Sequence, residues 1–214
     1  MTNDLKVVSV NRGQREIVHI GNKEVETGIF KRPSPARVAV STLGLAEDVV
    51  ADTVNHGGAD QALYLYSLED YAWWSAELQK EVLPSSFGEN LTLSSFGEAP
   101  LKIGDRFQVN DVLLEVTSPR IPCSKLAARM DDPGFVKRFA QARRPGAYVR
   151  VLKPGTVQVG DPVQRIATPE DYPTNIELFD LWYAQERDPA FLRRGLAAPL
   201  AERVRGTWLA WLGE

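Results

Sequence analysis

Cysteine is almost missing from this chain, with Cys123 the one example in 214 residues. A single thiol excludes an internal disulfide framework and fits a reducing compartment. Histidine is nearly as scarce, with only His19 and His56. Two imidazoles and one thiol cannot build a zinc site from Cys and His alone. No apolar run approaches the roughly 18 residues of a membrane span, and the polar first residues carry no signal-peptide pattern. The expectation is a cytoplasmic protein with no membrane contact. Neither Gly-x-Gly-x-x-Gly nor a phosphate loop ending in Gly-Lys-Ser/Thr occurs, and the Gly-x-Ser-x-Gly elbow of hydrolases is absent. The net charge of −3 offers no overall attraction to nucleic acid. The Trp73-Trp74 pair and the C-terminal tryptophans sit in helical patterns, which reads as core packing rather than base stacking.

What remains is a globular composition, 43% apolar and 25% charged. Short β-rich runs separated by turns fill the chain to about residue 167. Gly21-Asn22-Lys23 marks a hairpin between strands at 16–20 and 24–27. Further strands are expected at 5–10, 37–41, 62–66, 106–109, 112–117, 146–152 and 157–159, with 44–53 irregular. Ser67, with acids behind it, predicts a helix running to about Lys80. Asp132-Pro133 predicts another over 133–142. The pattern fits a mainly β fold, a mostly antiparallel barrel or sandwich with inserted helices. Beyond Ala167 β-branched residues thin out. Helices are expected at 175–182, capped by Thr174, after Asp188-Pro189, and over 199–212. The expected division is therefore a β domain at 1–167 and a three-helix appendage at 168–214. Alone the appendage would be marginal, so it should dock on the barrel or on another subunit.

The one cysteine lies in Ser118-Pro119-Arg120-Ile121-Pro122-Cys123-Ser124-Lys125, between a strand and a helical turn. Two prolines make this loop stiff. Basic neighbours favour the thiolate, although a lone cysteine can equally be a small buried apolar residue. Nine basic residues against two acids between Arg120 and Lys153 give a local surplus of +7, which suggests an anionic ligand nearby. Two other polar islands stand out. His56-Gly57-Gly58 puts an imidazole beside main chain that can approach a ligand closely. Phe87-Gly88-Glu89-Asn90 places a carboxylate and an amide at a strand start.

Thr27-Gly28-Ile29-Phe30-Lys31, His56-Gly57-Gly58-x-x-Gln61-Ala62, Phe87-Gly88-Glu89-Asn90-Leu91, Ile103-Gly104-Asp105 and Pro119-Arg120-x-Pro122-Cys123-x-Lys125 together resemble the MOSC family in order and spacing. That family is named for the C-terminal domain of molybdenum cofactor sulfurases. The likeness runs over about 5–166, and the tail is similar to the three-helix domain of a bacterial branch linked to detoxification of N-hydroxylated bases. The resemblance implies a MOSC-type β-barrel that binds a molybdenum–molybdopterin cofactor (Moco). It implies that Cys123 is the thiolate ligand of the metal, a soft donor that suits it. It makes Lys31, Arg120 and Lys125 candidates for the cofactor's phosphate. Gly57, Gly58, Glu89 and Asn90 become candidates for the rest of the cofactor, and His56 a catalytic candidate beside Cys123.

The implied activity is reduction of a small N-hydroxylated substrate such as an N-hydroxylaminopurine. Electrons would come from a separate electron-transfer partner, since no flavin or iron–sulfur motif is present. A homodimer is compatible with the tail. The alternative is a carrier of cofactor or of persulfide sulfur. One departure stands out: Gly44-Leu45-Ala46-Glu47-Asp48 has Glu47 where related sequences have a second glycine. A carboxylate there could change the loop's backbone or its ligand.

Overall fold

The computed structural model describes residues 5–51 and 57–214. The chain opens with strands β1 (Val7–Arg12), β2 (Glu16–Ile20), β3 (Lys23–Thr27), β4 (Arg32–Pro33), β5 (Val38–Ser41) and β6 (Gly44–Leu45). Then β7 (Leu63–Ser67) runs straight into helix α1 (Leu68–Glu77), followed by β8 (Leu91–Leu93), β9 (Arg106–Val109) and β10 (Val112–Ser118). Helices α2 (Ser124–Met130) and α3 (Phe135–Ala142) precede β11 (Ala147–Lys153), β12 (Gly155–Val157) and β13 (Val163–Ile166). The chain ends in α4 (Asn175–Tyr183), α5 (Pro189–Leu196) and α6 (Glu202–Leu212).

Eight strands form one mixed sheet in the order β13-β9-β10-β11-β7-β8-β1-β4, curled into a half-barrel. All its pairings are antiparallel except β7–β8. A parallel pair needs a crossover, and α1 supplies it. The fold is thus mainly β with helices, as the spacing of the strands predicts. The inward faces of these strands fill the curl with Val, Leu and Phe, including Val10, Leu63, Phe107 and Leu114. Leu178, Leu192, Leu200 and Trp208 of the tail join this same core, so the C-terminal helices bury their apolar faces on the barrel. A second core lies under α1, α2 and α3 and is largely aromatic: Tyr66, Tyr71, Trp74, Phe87, Phe135 and Phe139 pack together.

Local chemistry explains the element ends. Ser67 Oγ accepts from Asp70 N at 3.0 Å and starts α1. Thr174 and Glu177 form a reciprocal capping box at α4. Asp188 accepts from Ala190 N ahead of Pro189 and starts α5.

Several elements differ from the sequence expectation; Gly44–Leu45, within the stretch expected to be irregular, pairs with β5 as strand β6. Helix α3 begins at Phe135, two residues late, because Asp132 Oδ1 accepts from Gly134 N at 2.8 Å and closes a local turn instead of capping the helix. Helix α6 begins at Glu202 because Ala201 N donates to Thr117 O at 3.2 Å, which ties the preceding segment to β10. The strand expected at 157–159 forms at Gly155–Val157, where it pairs with β5. The Ile103-Gly104-Asp105 motif is architectural. Buried Asp105 accepts from Lys102 N at 2.9 Å, Thr168 N at 2.8 Å and Arg165 Nη2 at 2.6 Å, knotting the barrel end to the segment that leads into the tail.

Candidate functional site

The cysteine loop forms one wall of an open cleft. Cys123 is half-buried at its mouth, in extended conformation, and its carbonyl accepts from Leu126 N at 2.9 Å as α2 begins. Lys125, in the first turn of α2, lines the same cleft.

Arg120 reaches inward from the loop and is only 5% exposed. Its guanidinium lies over the Tyr64 ring at 4.9 Å and the Phe139 ring at 6.0 Å, and Nη1 donates to Phe87 O. Its Nε is buried with no hydrogen-bond partner among the described residues. The aromatic second core therefore holds Arg120 rigidly while leaving part of its donor capacity unused.

The opposite wall carries Lys31, 7% exposed. Its ammonium contacts both carboxylate oxygens of Asp48, at 2.5 and 2.6 Å. Asp48 also accepts from Asn90 Nδ2 at 2.8 Å and from Gly13 N at 2.6 Å. Asn90 Oδ1 in turn accepts from Tyr64 N at 3.1 Å. Asn90 thus clamps β7, the Asp48 loop and the cleft wall together. Burial pushes the Lys31 ammonium below its usual range, although Asp48 works against that. Burial likewise pushes the phenols of Tyr64 and Tyr148 up, against the nearby Arg120, so both stay neutral at ordinary pH.

Lys31, Gly57, Asn90, Arg120, Cys123 and Lys125 all line this one cleft. His56 lies outside the described residues. Gly58 sits beside Gly57 at φ +81° but does not line the cleft. Glu89 does not line it either. Its carboxylate is wholly buried, and Oε1 accepts from Tyr71 Oη at 2.7 Å, Ser85 N at 2.6 Å and Thr92 Oγ1 at 2.7 Å. It braces the Phe87-Gly88 turn from behind, a job the linear motif does not distinguish from ligand binding.

Glu47 is resolved in the same way. Its φ of +61° is the left-handed backbone that a glycine would take, and its side chain, 81% exposed, pairs with Arg12 at 2.6 Å. The loop keeps its glycine-like shape, and the carboxylate points away from the ligand wall. Part of the local surplus of positive charge is cancelled in three dimensions, three of the seven charges by acids from outside the stretch. Arg138 meets Asp132 at 3.3 Å, Arg143 meets Asp180 at 2.5 Å, Arg144 meets Asp70 at 2.5 Å, and Arg150 meets Asp60 at 2.9 Å. Arg120 and Lys125 line the cleft, and Lys31 lines it too with its charge paired to Asp48.

Sequence reasoning missed Tyr64 and Tyr148 as cleft residues and Asp48 as the partner of Lys31. The two tyrosines sit in strands and read as core. The one available signal for Asp48 was its place in the Gly44–Asp48 motif. Among the described residues no group of three or more His, Cys, Asp or Glu is placed to hold a metal ion.

A family model described as the MOSC domain matches residues 52–164. The chain belongs to the MOSC family. It is 37% identical over 154 residues to the uncharacterized protein YflK of Bacillus subtilis, covering 72% of this chain and 70% of YflK. A fungal relative from Gibberella moniliformis, called Reductase, is 34% identical over 150 residues, and the match spans 68% of this chain but only 27% of that protein. The crystal structure of YiiM from Geobacillus stearothermophilus superposes with a TM-score of 0.80 at 26% identity, over 96% of this chain and 98% of that one. The MOSC family is associated with molybdenum cofactor binding.

Proposed function

We propose that this protein binds a molybdenum–molybdopterin cofactor in the Cys123 cleft and reduces small N-hydroxylated compounds. The observation that carries the reading is the buried Arg120 lining the same cleft as the chain's one thiol. A guanidinium with spare donors, an ammonium on each side of it and a half-buried thiol fit a ligand that is anionic at one end and thiophilic at the other. The relative named Reductase supports a redox role.

Arg120 and Lys125 hold the phosphate, with Lys31 completing the positive wall. Asp48, itself held by Asn90, fixes Lys31, and Cys123 would meet the metal. When bound, the cofactor would supply a two-electron redox centre. The balance is N–OH plus two electrons and two protons to N–H plus water, with the electrons delivered by a separate donor protein. Tyr64 and Tyr148 shape the wall and exclude water. Their raised pKa values make them poor proton donors, so protons enter from solvent at the mouth or through His56.

The test is purification from a host that makes the cofactor, with Cys123→Ala alongside. The expected result is stoichiometric molybdenum and fluorescent oxidised pterin in the parent, metal lost in the variant, and reduction of an N-hydroxylated base by an artificial electron donor. A metal-free protein carrying cyanide-labile sulfur on Cys123 would overturn the reading in favour of a sulfur carrier.

A further inference from the structure

Phenol and indole rings form one connected group that runs from the cleft to the surface. Tyr148 and Tyr64 line the cleft, with ring centroids 5.2 Å apart. Tyr64 meets Tyr66 at 6.1 Å, and Tyr66 meets Tyr71 at 5.2 Å, edge to face. A branch leads outward from Tyr66. Trp74 Nε1 donates to its hydroxyl at 2.7 Å, and the Trp74 ring meets half-buried Trp73 of α1 at 5.0 Å. After thiols, phenols and indoles are the side chains that give up one electron most readily. Phe87, Phe135 and Phe139, which do not, pack around the group.

Packing alone does not account for the inner end. Tyr71 Oη donates to Glu89 Oε1 at 2.7 Å, while Glu89 Oε2 is buried with no hydrogen-bond partner among the described residues. A buried carboxylate with an unused oxygen is a costly way to brace a turn. It is well suited to take a proton. A phenol within hydrogen-bond reach of a base can lose its proton as its electron leaves, so no net charge is left in the apolar core. Tyr64 and Tyr66 lack this outlet, because their hydroxyls donate to the carbonyls of Pro145 and Arg144, both at 2.9 Å. The Arg120 guanidinium, 4.9 Å over the Tyr64 ring, also opposes loss of an electron there. An electron vacancy made at the cleft therefore moves inward to Tyr71.

We propose that Tyr64, Tyr66 and Tyr71 form a relay that draws one-electron oxidising equivalents out of the cleft, with the Tyr71–Glu89 pair as their resting place. The oxidant is a peroxide-derived radical formed in the cleft. It gains one electron, Tyr71 becomes a neutral phenoxyl radical, and the phenolic proton crosses to Glu89. A surface reductant of the ascorbate class returns the electron through Trp73 and Trp74, and Glu89 returns the proton. The relay spares Cys123 from oxidation. Only the source of the oxidant rests on the redox function proposed above.

Cys123, the one thiol, allows a ruthenium polypyridyl photo-oxidant to be attached at the cleft mouth of the full chain. Flash oxidation with a cobalt(III) quencher, rapid freezing and electron paramagnetic resonance then read the radical without any cofactor. A tyrosyl radical is expected, with its yield lowered severalfold in Tyr71→Phe and in Tyr66→Phe. Glu89→Gln, which keeps the acceptor oxygen but not the base, should shift the signal from tyrosyl to tryptophanyl. No protein radical, or a tyrosyl yield that neither Tyr71→Phe nor Tyr66→Phe lowers, would overturn the proposal whatever the outcome of the cofactor measurement. If Glu89→Gln melts early by circular dichroism, Tyr66→Phe, which removes a single oxygen, decides.

Discussion

Asp48 grips Lys31 with both carboxylate oxygens, at 2.5 and 2.6 Å, in a pair with side-chain exposures of 5% and 7%. Two buried charges of opposite sign stabilise little as a pair but cost a great deal when separated. Asp48→Ala should therefore destabilise the protein by about 3–5 kcal/mol in urea unfolding. The double variant Asp48→Leu with Lys31→Met should recover most of that loss while still weakening anion binding in the cleft. Equal destabilisation by the single and double variants would mean that the ion pair is not the cause.

The same pair predicts a pH dependence. Burial lowers the Lys31 pKa from its ordinary 10.5 in the folded protein. Between the lowered value and 10.5 the unfolded chain binds more protons at this site than the native state, so stability from Lys31 rises with pH through that window. Urea midpoints followed on the alkaline side up to pH 10.5 should show this upward contribution in the parent and lack it in Lys31→Met.

Arg120 is held by a cation–π contact and by the Phe87 carbonyl. Arg120→Met should leave that buried carbonyl without its donor and cost about 1–3 kcal/mol. It should also abolish inorganic phosphate binding in the cleft, read by the phosphate-induced shift in melting temperature. Arg120→Lys should not restore binding, because an ammonium cannot reproduce the stacked, forked geometry. A full rescue by lysine would show that charge alone suffices.

Glu47 occupies a left-handed backbone conformation and an exposed ion pair with Arg12. Relief of the positive φ is worth about 1–2 kcal/mol, and the surface pair contributes about 0–1 kcal/mol. Glu47→Gly should be neutral to slightly stabilising by thermal melting, less the flexibility it adds to the unfolded chain. Its cofactor content should match the parent's. A loss of cofactor would place the carboxylate in the site after all.

Gly195 lies under the Trp208 ring, with a virtual Cβ 2.1 Å away. Gly195→Ala should force the ring to move and cost about 1–3 kcal/mol by overpacking. Near-ultraviolet circular dichroism should report the displaced tryptophan, and Gly206→Ala in α6, where nothing lies within 4 Å, should show neither effect.

Elements with strong local chemistry were legible. The Gly21-Asn22 hairpin, the Ser67 cap and the Thr174–Glu177 capping box all fall where their residue types demand. Element starts decided by distant bonds were not, as Ala201 with Thr117 shows for α6. The motifs pointed to the cleft, but they could not say which side of a strand each side chain takes. Asn90 reaches the wall, while its neighbour Glu89 faces the opposite way into a brace with Tyr71 and Thr92.

The order of the motifs, the stiffness of the Pro119–Pro122 loop and the scarcity of thiol were enough to name the family and single out Cys123, because these are properties of neighbouring residues. Charge was a different matter. The basic stretch after Arg120 looked like an anion site, yet Asp60, Asp70 and Asp180 from outside it cancel three of its seven surplus charges. The cation that completes the cleft, Lys31, comes from nearly 90 residues upstream of Arg120. Electrostatic pairing depends on separation in space. Only the folding of the tail and the barrel onto a common core brings those groups within reach.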